Sequence, residues 1–132
     1  MNKLPCIIKK ITQSGAVILI DAEVDGLNFS ALLLEAYTPP VWISENNTVN
    51  LVFKETEVSL AKKLSGQISL RNRMKCRVEN IVKGEILSCV TLRFNNHIIN
   101  SLITTRSANS LNLILNDEVE ALVKSNEISL MQ

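Results

Sequence analysis

Aromatic side chains are scarce in this 132-residue chain, at 4%. Phe29, Phe53 and Phe94 fall in apolar, strand-like runs, so the sequence offers no row of rings on which nucleic acid bases could stack. Charge of one sign is missing too. Fourteen basic against thirteen acidic residues leave a net charge of +1, too little to draw in a phosphate backbone from a distance. Direct nucleic acid binding is therefore not expected, and any anion site has to be local. The longest apolar run, residues 16–20, is far too short to span a bilayer, and no charged-then-apolar leader opens the chain. The expectation is a cytoplasmic protein with no membrane partner.

Catalytic equipment is equally sparse. The one histidine, His97, stands beside an expected hairpin turn, and no glycine-rich phosphate loop, HExxH or GxSxG occurs. No base lies near any serine or cysteine, so the sequence supports no nucleophilic catalysis and no set of cation ligands. It reads as a non-enzyme. The cysteines are odd in number, Cys6, Cys76 and Cys89, with no CxxC spacing, and read as small buried hydrophobes in a reducing compartment.

What the chain does have is a repeat. Asn2-Lys3-Leu4-Pro5-Cys6 returns as Asn72-Arg73-Met74-Lys75-Cys76, and residues 51–60 lie over 121–130 with Lys, Glu, Ser and Leu in common. The composition, 46% hydrophobic and 20% charged, is that of a globular protein. Two repeats of this length read as two small units packed together rather than an open array: 1–61, a linker at 62–68, and 69–132. Units of about 60 residues are near the lower limit for independent stability, so they are expected to share an interface or to oligomerise.

Within each unit, Ile- and Val-rich runs alternate with turn residues. Strands are expected at 6–11, 17–24 and 27–32, with Asp25-Gly26 as a hairpin turn, and then at 49–53 and 57–60. Residues 35–47 are expected to be irregular, because Pro39-Pro40 blocks a helix. The second unit repeats the plan at 75–82, 86–94, 97–104, 118–123 and 127–130. It departs at 104–113, where hydroxyl residues suited to an N-cap and the absence of Pro and Gly predict a short helix. The fold class is all-β: two tandem small OB-like five-stranded barrels, with a short helix in the second.

The second unit also gathers hydrogen-bond donors at strand ends. Ser69, Arg71 and Asn72 open it, Lys124 and Ser125 lie between its last two strands, and Thr104 and Ser107 mark the helix start. Hydroxyls, a guanidinium, an ammonium and free backbone amides suit a multiply charged oxyanion, whose oxygens need donors that replace water.

These residues resemble a known family. Ser69-Leu70-Arg71-Asn72-Arg73-Met74-Lys75, with the later Ala121-Leu122-Val123-Lys124-Ser125, is similar to the S-A-R-N-x-L-x-G and [AL]-x-[IV]-K-[AS] motifs of the Mop domain of molybdate-binding proteins. The similarity covers the second unit and extends more weakly over the first, as in di-Mop proteins: a molbindin, or the effector domain of a molybdate-responsive regulator. The resemblance implies molybdate, or tungstate, as bound ligand, held between subunits of a dimer or trimer. Ser69, Arg71, Lys124 and Ser125 would come from one chain, with the backbone amide of Leu70 and with Asn72 in the same stretch. Thr104 and Ser107 would come from another.

Two positions depart from the pattern: Leu70 replaces a small Ala, and Cys76 stands where Gly is usual. The first unit departs further, with Lys54 kept but Glu55, Leu34 and Tyr37 where Ser125, Thr104 and Ser107 would be, so it is expected to serve as scaffold and interface. The implied function is molybdate storage, homeostasis or sensing. The alternatives are a regulatory module serving a transport or transcription partner, and an OB-type nucleic-acid or protein-binding module.

Overall fold

A computed structural model describes residues 1–34 and 36–132, so Glu35, part of the stretch expected to be irregular, lies outside the described residues. The strands are β1 (Asn2–Ser14), β2 (Val17–Val24), β3 (Leu27–Leu33), β4 (Thr48–Phe53), β5 (Ser59–Ala61), β6 (Asn72–Lys83), β7 (Leu87–Phe94), β8 (His97–Thr104), β9 (Glu118–Val123) and β10 (Ser129–Met131). One helix, α1 (Thr105–Ser110), follows β8, and residues 36–47 run as bends and turns. The chain is all-β, with two five-stranded OB-like sheets and a short helix.

Alternation explains the strands. Along β1, Leu4, Cys6 and Ile8 are buried while Lys3, Pro5 and Ile7 face out, and along β7, Ser88, Val90, Leu92 and Phe94 are buried in the same period of two. β1 is long enough to serve two partners. Its first half pairs with β4 and its second half with β2, and the register slips between Ile8 and Lys10. β6 does the same with β9 and β7, slipping between Val78 and Asn80. Each slip is a bulge that bends the strand and curls its sheet.

The turns repeat as well. The Ile8 N–H donates to Asn47 O and the Ile8 C=O accepts the Asn46 N–H, as the Val78 N–H and C=O do with Asp117 O and the Asn116 N–H. Asn46 and Asn116 take left-handed φ of 70° and 71°, which asparagine tolerates better than most residues. Gly84 is a tight point of another kind, since a Cβ there would meet the Leu87 carbonyl oxygen at 2.6 Å. Gly84→Ala is expected to lower stability by about 1–3 kcal/mol, because the obstacle is backbone and the hairpin has to shift. A thermal melt at wild-type stability would refute this.

The sheets are shared between the copies. Their strand orders are β10-β4-β1-β2-β3 and β5-β9-β6-β7-β8. Ser59–Ala61 therefore pairs with β9 of the second copy, and Ser129–Met131 pairs with β4 of the first. The strands expected over 57–60 and 127–130 are shorter than that. Glu55–Glu57 and Ser125–Glu127 form 3-10 turns first, and the Glu57 carboxylate takes the Lys54 N–H at 3.0 Å. Each turn redirects the chain across to the other sheet. The end strands β10 and β3 approach each other without a ladder between them.

Two asparagines seal the edge strands. Asn72 Oδ1 accepts the Ser30 N–H at 2.7 Å, and its Nδ2 donates to Ser30 O at 2.9 Å and Val123 O at 3.1 Å. Asn2 clamps Asn100 in the same way, at 2.8 and 2.9 Å. Each amide imitates a short piece of strand, satisfying an edge backbone that water would otherwise have to serve. Buried residues of both copies merge into one core, in which Phe29 and Phe94 pack with ring centres 6.1 Å apart. Lys62 pins the linker by donating to Leu111 O, Asn112 O and Asp117 Oδ2.

Candidate functional site

The end of the linker and the turn after β9 are brought together. Ser69, Leu70 and Arg71 enter β6, Lys124 and Ser125 leave β9, and all five line one concavity of about 290 Å³, walled on the far side by Leu32 and Leu34 of the first copy. The reason lies in the ladder. Asn72 pairs with Val123, so the residues just before one and just after the other project from the same sheet end. Arg71 and Lys124 are exposed, and among the described residues neither has an ion-pair partner. Arg73, by contrast, is spent on Glu120 at 2.8 Å. Two unneutralised cations and two hydroxyls at one rim can receive a multiply charged anion.

Thr104 and Ser107 do not line that concavity. Thr104 is the N-cap of α1: its Oγ1 accepts the Ser107 N–H at 3.1 Å and donates to Ser107 Oγ at 2.9 Å. They stand at the end of β8, against which the turn Glu55–Glu57 packs, whereas the turn bearing Ser125 packs against β3. In a single chain the two hydroxyls and the Arg71 cluster thus lie on different flanks. Asn72 differs from its expected place in another way. It is fully buried and its carboxamide is used up by Ser30 and Val123, leaving that side chain nothing to offer a ligand.

The corresponding rim of the first copy is chemically different. Leu34, at the position that matches Thr104, is exposed and belongs to the wall of the Arg71 concavity itself, Tyr37 is exposed, and Glu55, held below the usual carboxylate range by the Met1 amino group, puts a negative charge on the turn that packs against β8. Behind both rims the two 3-10 turns meet, where burial and then the nearby Glu57 carboxylate push Glu127 up. Cys6 and Cys76 contribute no anions: burial raises Cys6 to about 11 and Cys76 to about 12. Ser30 was not expected at the site from sequence. It lies behind Ser125, with the two Oγ atoms 2.6 Å apart.

Residues 68–130 match the TOBE domain family model. Over that stretch, just under half of the chain, the sequence is similar to a TOBE domain. The matched segment begins at the residue before Ser69 and ends after Ser125, so it contains the whole donor cluster of the second copy. The chain is 31% identical to the molybdenum import ATP-binding protein ModC of Brucella abortus (strain 2308), over 88% of this chain and 39% of that protein. The same figures hold for ModC of Brucella suis biovar 1 (strain 1330). The chain thus spans about two fifths of the length of these relatives.

Among solved structures, the TOBE-like segment and the copy before it together superpose on ModG, a cytoplasmic molybdate-binding protein crystallised with molybdate. The TM-score is 0.92 at 21% identity, covering 98% of this chain and 94% of that one, a likeness of fold. A molybdate-binding protein from Sporomusa ovata matches at 31% identity with a TM-score of 0.50, over 51% of this chain and all of that one. Among the described residues no helix is long and apolar enough to cross a membrane.

Proposed function

We propose that this chain binds molybdate, and tungstate with it, as a non-enzymatic cytoplasmic protein of molybdenum storage, homeostasis or sensing. The observation that carries this reading is the convergence of Ser69, Arg71, Lys124 and Ser125 on one concavity, in which two cations lack carboxylate partners among the described residues. Molybdate binding by ModG and by the Sporomusa ovata protein supports it. The guanidinium fork and the ammonium offset the dianion's charge, and the hydroxyls and strand-end amides replace its water.

A second copy completes the site. Thr104 and Ser107 sit on the other flank, so they reach the Arg71 cluster of a neighbouring chain when copies associate as a dimer or trimer. Association also removes water, which strengthens each charged contact. Ligand seen only by the assembled state then favours assembly by mass action. Discrimination against sulfate comes from pocket size, since charge and shape are shared.

Calorimetry with molybdate, tungstate, sulfate and phosphate tests this. Tight molybdate and tungstate uptake with weak sulfate and phosphate is expected, and equal affinity for all four would overturn the reading. Lys54→Ala is expected to change molybdate affinity by less than about twofold, because Glu55 beside Lys54 repels a dianion. A large loss would refute the view that the first copy is empty.

A second reading has its own support. The likeness to ModC, an ATP-binding import protein, favours a module that reports molybdate occupancy to a transport partner. A protein that copurifies only when molybdate is present would favour it over storage.

A further inference from the structure

Ser125 lines the proposed oxyanion concavity, but its hydroxyl already has a neighbour. Its Oγ lies 2.6 Å from the Oγ of Ser30, on β3 of the first copy. Ser30 is only 7% exposed, and both its N–H and its C=O are held by Asn72. It is therefore a fixed point behind the site, and it also lines the adjoining hollow of about 230 Å³ together with Arg71. Neither serine has a counterpart at the matching place in the other copy. Asn100 stands for Ser30 and is occupied with Asn2 and Thr91, and Glu55 stands for Ser125.

A serine hydroxyl has one proton to give. Between Ser30 and Ser125 either oxygen can be the donor, and the geometry of the pair does not choose. The ligand does. All four oxygens of a tetraoxo dianion only accept, so Ser125 helps such a ligand only by turning its proton outward. Its lone pair is then left to accept from Ser30.

Resting on the molybdate reading, we infer that Ser30 is a positioning and specificity-determining residue. Its O–H donates to Ser125, so that Ser125 donates to the anion and the pair selects fully deprotonated tetrahedral dianions over protonated ones such as hydrogen phosphate. Two hydrogen bonds running in one sense polarise and strengthen each other. Hydrogen phosphate reaches the Ser125 proton with one acceptor-only oxygen fewer than molybdate, and its own O–H finds the Ser125 lone pair already taken by Ser30. Size plays no part in this step, so sulfate, which is also acceptor-only, is favoured by it as molybdate is. Sulfate is rejected by the pocket's dimensions instead.

The test is a double-mutant cycle by calorimetry on the full chain: wild type, Ser30→Ala, Ser125→Ala and the double variant. Molybdate and sulfate are titrated, and phosphate is measured by its displacement of molybdate. Ser30→Ala is expected to weaken molybdate and sulfate roughly fivefold and phosphate less than twofold. In the Ser125→Ala background it should change nothing further. Ser30→Thr, which keeps the hydroxyl, should restore wild-type affinities, and melting curves establish that each variant is folded.

A purely structural Ser30 would weaken every anion alike and add to the Ser125→Ala effect. Either result overturns the relay and leaves the oxyanion reading standing. Wild-type protein that takes up no tetraoxo dianion overturns both.

Discussion

Arg71→Ala should lower molybdate affinity by about 2–3 kcal/mol, a factor of roughly 30–150, while the melting temperature stays within about 2 °C of wild type. The two halves of that expectation have separate grounds. Arg71 is exposed, and among the described residues it has no ion-pair partner and makes no side-chain hydrogen bond. The fold loses little with it. A bound dianion, in contrast, loses a two-pronged, permanently charged donor that water replaces poorly in a partly closed site. Arg71→Lys keeps the charge and loses the fork, so it should fall between alanine and wild type. Calorimetry beside a thermal melt reads both quantities. Intact uptake in Arg71→Ala would remove the guanidinium from the site, and a collapse in stability would show that it supports the fold instead.

Asn72→Ala should produce the largest loss of stability, about 3–4 kcal/mol or a fall of roughly 10–15 °C in Tm. Truncation removes three hydrogen bonds at a position with no solvent exposure, and it strands the N–H and C=O of Ser30 on an edge strand. Water cannot easily reach them. Asn2→Ala should cost less, since its two bonds to Asn100 are only partly buried. The comparison by chemical denaturation is decisive. If the two variants lose equal stability, burial is not what sets the effect, and if neither loses any, the clamps do not hold the sheets together.

The repeat was the most legible feature of the sequence, and the reason is physical. Turns, bulges and caps are local, so equal residues at equal offsets give equal geometry, as at Asn46 and Asn116 or Ile8 and Val78. Thr104 as a helix cap was legible for the same reason. The route of the last strand of each copy was not. Three residues such as Ser59–Ala61 alternate in a way that fits either sheet, and only the path imposed by the preceding 3-10 turn decides between them.

At the site, Ser69, Arg71, Lys124 and Ser125 could be grouped because β6 and β9 are neighbours in every copy of the plan. Ser30 could not. It is one of two polar residues in β3 of the first copy, with Asn100 at the matching position, and only the exchange of elements between copies carries Ser125 to it. Asn72 was visible as a repeated residue, but no linear pattern distinguishes an asparagine that grips a backbone from one that faces a ligand.

The traded strands have one more implication. A single copy of the plan, standing by itself, is an unfinished object: it exports the piece that would complete its neighbour and lacks the piece it needs. Two unlinked copies can close the account by exchanging ends, and joining them in one polypeptide makes that exchange independent of concentration. What tandem duplication gains here is a handshake that dilution cannot undo, and it leaves the outer flanks, where Arg71 and Thr104 lie, outside the exchange.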